Sequence, residues 1–320
     1  MDALSDLLHA CDLSGSLFSR AELCEPWAVS TRGADVALFH VVLQGRGTID
    51  VQPRDGAAAR TLSWGPGDLL LMPHGDPHVL RGHSGSPTPA PIRGLPRSED
   101  GGLMTVRHGG DGAPTSLLCG TMRLSPDAGA HLLPHLPRAL HLRADAPGVA
   151  AWMDHTLRLL DAETRGTRPG SDAMVHRVAE VLLVAALRAW IEGPDAPQAG
   201  WLAGMRDPQL SRALAALHAA PEAPWTAADL ARRSGMSRSM LYTRFEAVVG
   251  EAPGDYLTRW RMVLACQRLR SGSTLVAEVG RTVGYSSEAA FSRAFKRHLG
   301  LSPRTWRTSQ AAGAPGAVGG

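Results

Sequence analysis

Gly250-Glu-Ala-Pro253-Gly-Asp-Tyr256 recurs fifty residues later as Gly300-Leu-Ser-Pro303-Arg-Thr-Trp306, and Phe245 recurs at the same offset as Phe295. A unit repeated within one chain defines an architecture before any single residue does. Each copy reads as helix, turn, helix, and then a proline-marked start of another helix. In the first copy Thr226-Ala-Ala-Asp229 has the spacing of a capping box, a short helix runs through Arg233 to Gly235, and the next begins after Ser237. Leu241, Phe245, Val248 and Val249 fall on one inward face. That leaves Ser239, Tyr242, Thr243 and Glu246 outward. In the second copy Ser273/Thr274 supplies the cap, a helix runs from Leu275 to Arg281, and Gly284 makes the turn. A helix after Ser286/Ser287 then buries Phe291, Phe295 and Leu299 and turns Glu288, Ala289, Ser292, Arg293 and Lys296 outward. Ala231 corresponds to Gly280, where a small residue lets the two helices of a unit cross closely.

Between the copies, Gly254 to Arg270 reads as one helix with Leu257, Trp260 and Leu264 on its buried stripe. Such a spine would hold the two heads at a fixed separation. Two recognition helices enter successive major-groove turns only when they sit about 34 Å apart. Charge supports that reading. From Pro208 to Gln310 there are 15 Arg/Lys against 7 Asp/Glu, while the remainder carries 18 against 23. A basic half beside an acidic one points to nucleic acid. The four cysteines, Cys11, Cys24, Cys119 and Cys266, show no zinc-finger spacing. No apolar run approaches the ~20 residues of a membrane span. The acidic start has no basic leader region, so a cytoplasmic protein with no membrane partner is expected.

The run Ala277-Glu-Val-Gly-Arg-Thr-Val-Gly-Tyr-Ser-Ser-Glu-Ala-Ala-Phe-Ser-Arg-Ala-Phe-Lys-Arg-His-Leu-Gly-Leu-Ser-Pro303 resembles the signature of the AraC/XylS family of bacterial regulators. The resemblance implies a transcription factor that binds double-stranded promoter DNA, acts with RNA polymerase, usually works as a homodimer and has activators among its relatives. By position it assigns base contacts to Ser239, Tyr242 and Thr243 in the first head and to Glu288, Ala289, Ser292 and Arg293 in the second. Arg293 is the best single base reader, because Arg to guanine is the commonest specific contact. Arg238, Arg244, Lys296, Arg297 and Arg304 are assigned to phosphates, which position without specifying.

Residues before position 130 have a different texture. Leu17–Leu23, Val36–Leu43, Thr48–Val51, Leu69–Met72 and Thr115–Leu124 read as short strands separated by Gly/Pro turns, the pattern of a sandwich or small barrel. Gly67-Asp-Leu-Leu-Leu-Met-Pro73-His-Gly75-Asp-Pro-His78 is similar to the second motif of the cupin barrel, with His78 directed inward. The first cupin motif keeps only His40. Gly82 to Pro114, with 13 Gly or Pro, reads as a mobile insertion. Helices follow from about Val149 to Glu163 and from Ala173 to Ile191. The fold class expected is α+β: a cupin-like β-barrel over 1–130 with its insertion at about 82–114, a helical dimerisation region over 131–200, an all-α domain with two helix-turn-helix motifs over 201–310, and a disordered tail over 311–320.

Three signals for the front domain stay open. A small effector could sit in the barrel against His40 and His78. Zinc or another divalent metal could be chelated by His74 and His78. Oxidation could act at Cys24 and Cys119, whose placement resembles the reactive-chlorine-responsive subgroup of the family; a disulfide there requires Cα atoms within ~7 Å. The rival classes are a metal-dependent cupin enzyme fused to a DNA-binding module, and a constitutive DNA-binding protein whose barrel only dimerises. No catalytic motif is found, so a non-enzyme is expected, with no catalytic residue assigned.

Overall fold

The computed structural model describes residues 3–10, 14–83, 85, 87–100, 103–146, 148–165, 168–270, 272 and 274–312. In chain order they form α1 (Ala3–Ala10), β1 (Ser14–Cys24), β2 (Ala28–Thr31), β3 (Ala37–Gln44), β4 (Gly47–Val51), β5 (Arg60–Trp64), β6 (Leu69–Met72), β7 (His78–Gly82), β8 (Ala90–Pro91), β9 (Arg97–Asp100), β10 (Leu103–Gly109) and β11 (Pro114–Arg123). Then come α2 (Pro126–Leu132), β12 (Leu140–Leu142), α3 (Ala150–Arg165), α4 (Ser171–Glu192), α5 (Trp201–Arg206) and α6 (Leu210–Ala219). The last six helices are α7 (Ala227–Ser234), α8 (Arg238–Val249), α9 (Pro253–Arg270), α10 (Val276–Thr282), α11 (Glu288–Leu299) and α12 (Pro303–Ala312). Among the described residues no helix is long and apolar enough to cross a membrane.

Two compact units result. One contains Leu13–Leu124 and Leu136–Ala196; the other contains Met1–Asp12, Ser125–His135 and Pro197–Gly320. In the first, a seven-stranded sheet runs β12-β6-β3-β11-β1-β10-β9 and a five-stranded sheet runs β5-β4-β7-β2-β8. Their inner faces share a core with Trp27, Val42, Ile49, Trp64, Leu70, Met72 and Leu117. The near-continuous burial of β3 and β11 has a simple cause. The core covers one face of these strands and helix covers the other face of their sheet; α4 buries Val175, Ala179, Leu182, Leu183 and Leu187.

Gly75 makes the cupin-type turn possible. Its φ is +65°, and a Cβ there would stand 2.1 Å from the Ala34 carbonyl oxygen and 2.4 Å from that of Val36.

Several expectations need correction. The Gly/Pro-rich segment over 82–114 is no detached insertion, because β10 within it pairs in parallel with β1 along six residue pairs. The region expected to be helical over 131–200 also contains β12, an edge strand. β2, β5 and β7 were not among the expected strands; β5 is short and mostly exposed, so its sequence lacks an apolar run. The expected boundary near residue 130 cuts through α2, which packs with the C-terminal unit. The tail expected over 311–320 begins inside α12, and its rest lies outside the described residues, as does Cys11.

In the second unit the repeat has a physical meaning. Gly250 and Gly300 both follow the second helix of a unit at positive φ, 89° and 77°, and close α8 and α11. Pro253 and Pro303 open α9 and α12, where the missing N–H is harmless. Phe245 meets Tyr256 edge-on at 5.8 Å, and Phe295 meets Trp306 edge-on at 6.0 Å. Each copy therefore folds its second helix back onto the next helix through one aromatic pair.

Candidate nucleic-acid interface and barrel interior

The first head starts where the capping box places it. Thr226 caps α7 and accepts from the Asp229 amide. Ser237 caps α8, accepting from Met240 N, and Ser287 caps α11, accepting from Ala290 N. The cap of α10 is Leu275, with no side-chain bond; Ser273 lies outside the described residues. The turns differ in length, because five residues lie between α10 and α11, against three between α7 and α8. Gly280 lets α10 and α11 touch. A Cβ there would be 3.0 Å from Cβ and Cγ of Phe291.

Ser239, Tyr242 and Thr243 are exposed on α8, and Glu288, Ala289 and Arg293 on α11; Ser292 is half-buried. Leu241, Phe245, Phe291 and Phe295 are buried beneath them, whereas Val248 and Leu299 are half-exposed. Arg238, Arg293 and Lys296 are exposed, and their side chains make no hydrogen bond or ion pair among the described residues. Arg297 is exposed as well. Arg304 lies 3.4 Å from Glu288, so the two share one end of α11.

Arg244 is differently placed. Its guanidinium is 2.7 Å from Asp207 and donates to Gln209 at 2.9 Å, so it braces the start of α6 and is not free for phosphate. Sequence reasoning missed Met240, which is 50% exposed on α8. Its position three residues before Thr243 on the same helix was the available signal. Arg261 of α9 donates to the carbonyls of Pro221 (2.6 Å) and Ala223 (2.9 Å), and lies over the Tyr285 ring. It ties the second head to the segment leading into the first.

Inside the barrel, His40 and Cys119 are cross-strand partners on β3 and β11. His40 Nδ1 is 3.2 Å from the Cys119 sulfur, and its Nε2 is 2.8 Å from His78 Nε2. His78 Nδ1 is 3.0 Å from the Asp76 carbonyl oxygen. That carbonyl can only accept, so His78 Nδ1 carries the hydrogen. In the neutral pair His78 Nε2 then accepts from His40 Nε2–H, and His40 Nδ1 accepts from the Cys119 thiol. Every member of the chain is satisfied without a charge. Burial and then the neighbouring His78 hold His40 well below the usual histidine range. Burial takes His78 down to about 4, against the opposing pull of Asp76. Burial raises Cys119 to about 12, although Ser19 pulls the other way.

This arrangement corrects the metal expectation. His74 Nε2 bonds the Leu136 carbonyl at 3.1 Å, so His74 and His78 are committed to different partners. His40 presents opposite nitrogens to His78 and Cys119, so these three do not converge on one point. Among the described residues no group of three or more His, Cys, Asp or Glu is placed to hold a metal ion. The redox pairing is corrected too. Cys119 is opposite Ser19, but Cys24 is opposite Pro114, five steps along the same ladder. At about 3.3 Å per residue they stand roughly 17 Å apart, far outside disulfide range.

His40 and His78 are almost fully buried among core side chains. A cavity of about 530 Å³ lies outside the barrel core, lined by Arg60, Leu62, Leu140, Arg143, Trp190 and Asp195 among others. Arg60 meets Asp195 there at 3.2 Å.

Comparison with known proteins agrees with both halves. A cupin family profile matches residues 2–192, and a helix-turn-helix domain profile matches residues 230–309. An AraC-like transcription regulator of Streptomyces lividans is 34% identical over 96% of this chain and 98% of its own length. The transcriptional regulator AlkR of Acinetobacter baylyi is 31% identical over 96% and 99%. The reactive-chlorine-specific transcriptional activator RclR of Escherichia coli is 26% identical over 96% and 97%.

Proposed function

Because the chain belongs to the AraC-type transcription regulators with an N-terminal cupin domain, we propose that it reads promoter DNA with α8 and α11 under control of a small molecule held by the N-terminal unit. The observation that carries this reading is the matched pair of helix-turn-helix units, each with a buried phenylalanine on one side of its second helix, Phe245 or Phe295, and exposed polar or basic groups on the other. Base edges fall to Ser239, Tyr242 and Thr243, with Met240 beside them, and to Glu288, Ala289, Ser292 and Arg293. Phosphates fall to Arg238, Lys296, Arg297 and Arg304. Genome-wide capture of bound fragments, then footprinting of one site at several salt concentrations, tests it. A protected site with a steep salt slope is expected; equal affinity for every fragment would overturn sequence-specific reading.

Of the three signals, a small molecule is the one these contacts favour, since the histidines are paired with each other and the cysteines are apart. The cavity beside Trp190 is its proposed seat. Trp190→Ala should abolish the calorimetric signal of any effector that shifts promoter affinity. The regulator is proposed to act in the cytoplasm beside RNA polymerase and as a homodimer, with Met174 and Val181 of α4, 45% and 57% exposed, on the shared face. Val181→Glu should shift its sedimentation to that of a monomer.

A further inference from the structure

His131 is the least satisfied polar side chain of the DNA-binding unit. It is 3% exposed, and both of its ring nitrogens are without a hydrogen-bond partner. It lies in an aromatic box. The ring stacks on Trp201 at 5.6 Å and 13°, and faces Tyr256 at 5.8 Å and Trp260 at 6.3 Å. A buried imidazole with neither nitrogen satisfied is costly to hold, whereas an apolar side chain of the same size would not be.

The helix that carries His131 is weak by itself. α2 has seven residues and contains both a proline and a glycine. A helix this short has no independent stability in water, so its docking is also its folding. Its anchors are few: buried Ala128 and Leu132, an ion pair from Asp127 to Arg270 of α9, and His135 lying against Gly200. The chain on either side belongs elsewhere. α2 leaves from β11 and returns to β12, two strands of one sheet in the cupin unit. The DNA-binding unit thus contains a piece of the sensor chain, seated by a residue that fits poorly.

We propose that α2 is a releasable latch, whose seating of His131 in the Trp201–Tyr256–Trp260 box couples the cupin strands β11 and β12 to the DNA-binding unit. The poor fit is what makes the latch releasable. A tightly seated apolar residue would hold α2 for as long as the unit stays folded. With His131, α2 can leave while α9 and the box stay formed. A signal that moves β11 or β12 then needs little work to withdraw it. The regulatory meaning rests on the DNA-binding reading, but the behaviour of the latch does not.

Hydrogen exchange of the full chain at neutral pH tests it without DNA or effector. Peptides covering 126–135 should exchange at least ten-fold faster than those of α9, through an opening that leaves α9 protected. His131→Leu should slow the 126–135 peptides by ten-fold or more and leave α9 unchanged. His131→Lys should remove their protection while α9 keeps its own. The proposal is overturned if wild-type α2 and α9 exchange together, or if His131→Leu leaves α2 unchanged. Should His131→Lys fail to fold, the wild-type and His131→Leu comparison decides alone. Promoter footprinting, scored separately, can fail without touching this result.

Discussion

The Nε2 atoms of His40 and His78 stand 2.8 Å apart and join the two sheets of the barrel through one hydrogen bond. The bond needs the accepting Nε2 of His78 unprotonated, and both rings are held below the ordinary histidine value, chiefly by burial. The sign follows. The unfolded chain takes up protons below about pH 6.5, which the folded barrel refuses, so stability is full above that pH and falls beneath it. For His78, lowered to about 4, the loss by pH 4 is roughly 3 kcal/mol. Urea midpoints of the barrel transition from pH 8 to pH 4.5 should therefore fall more steeply in the wild type than in the His40→Leu/His78→Leu double variant. Parallel curves would refute the neutral pair.

The same chain of bonds sets the chemistry of the thiols. Cys119 is buried, gives its hydrogen to His40 and is raised to about 12, while Cys24 is half-buried at the end of β1. The thiolate is the reactive form. At pH 8 iodoacetamide should label Cys24 well before Cys119. After mild oxidation, peptide mapping should find no Cys24–Cys119 link within one folded chain. Recovery of that link as the main product would mean that the barrel rearranges.

Local signals made the DNA-binding half legible. Thr226, Ser237 and Ser287 cap the helices expected of them, and the Phe and Gly-x-x-Pro offsets foretold two equivalent folds. Such features are written within a dozen residues of each other. The barrel interior was less readable because its contacts are long-range. His40 and Cys119 are 79 positions apart, and nothing near either one announces the other. His131 meets Trp201 and Trp260 only because α2 crosses into the other unit. Local spacing instead suggested His74 with His78, a pair that tertiary structure sends in different directions.

Gly280 offers a test of the close helix crossing. Alanine in a helix interior gains about 1 kcal/mol over glycine. Here its Cβ would press on the Phe291 ring base at 3.0 Å, on the backbone side, where neither helix can yield easily. Overpacking of this kind costs about 1–3 kcal/mol and should outweigh the gain. Gly280→Ala should lower the denaturation midpoint of the C-terminal unit, and exchange should quicken in α10 and α11 before α7 and α8. A raised midpoint would show that the crossing has slack.

Arg293 and Arg244 are both exposed arginines on the second helices of the two units, α11 and α8, yet their surroundings separate them. Arg293 has no partner among the described residues, whereas Arg244 is held by Asp207 and Gln209. A free, outward guanidinium can fork onto guanine, and its loss typically removes ~1–3 kcal/mol at one base pair. Arg293→Ala should therefore flatten discrimination at a single operator position in a competition assay across point-mutant sites. Arg244→Ala should act on the protein instead. With Asp207 left to the Gln209 and Leu210 amides alone at the head of α6, thermal stability should fall, and the slope of affinity against salt should stay as in the wild type. A reduced salt slope for Arg244→Ala would return it to the phosphate contacts. Uniform weakening on all sites by Arg293→Ala would move that residue there as well.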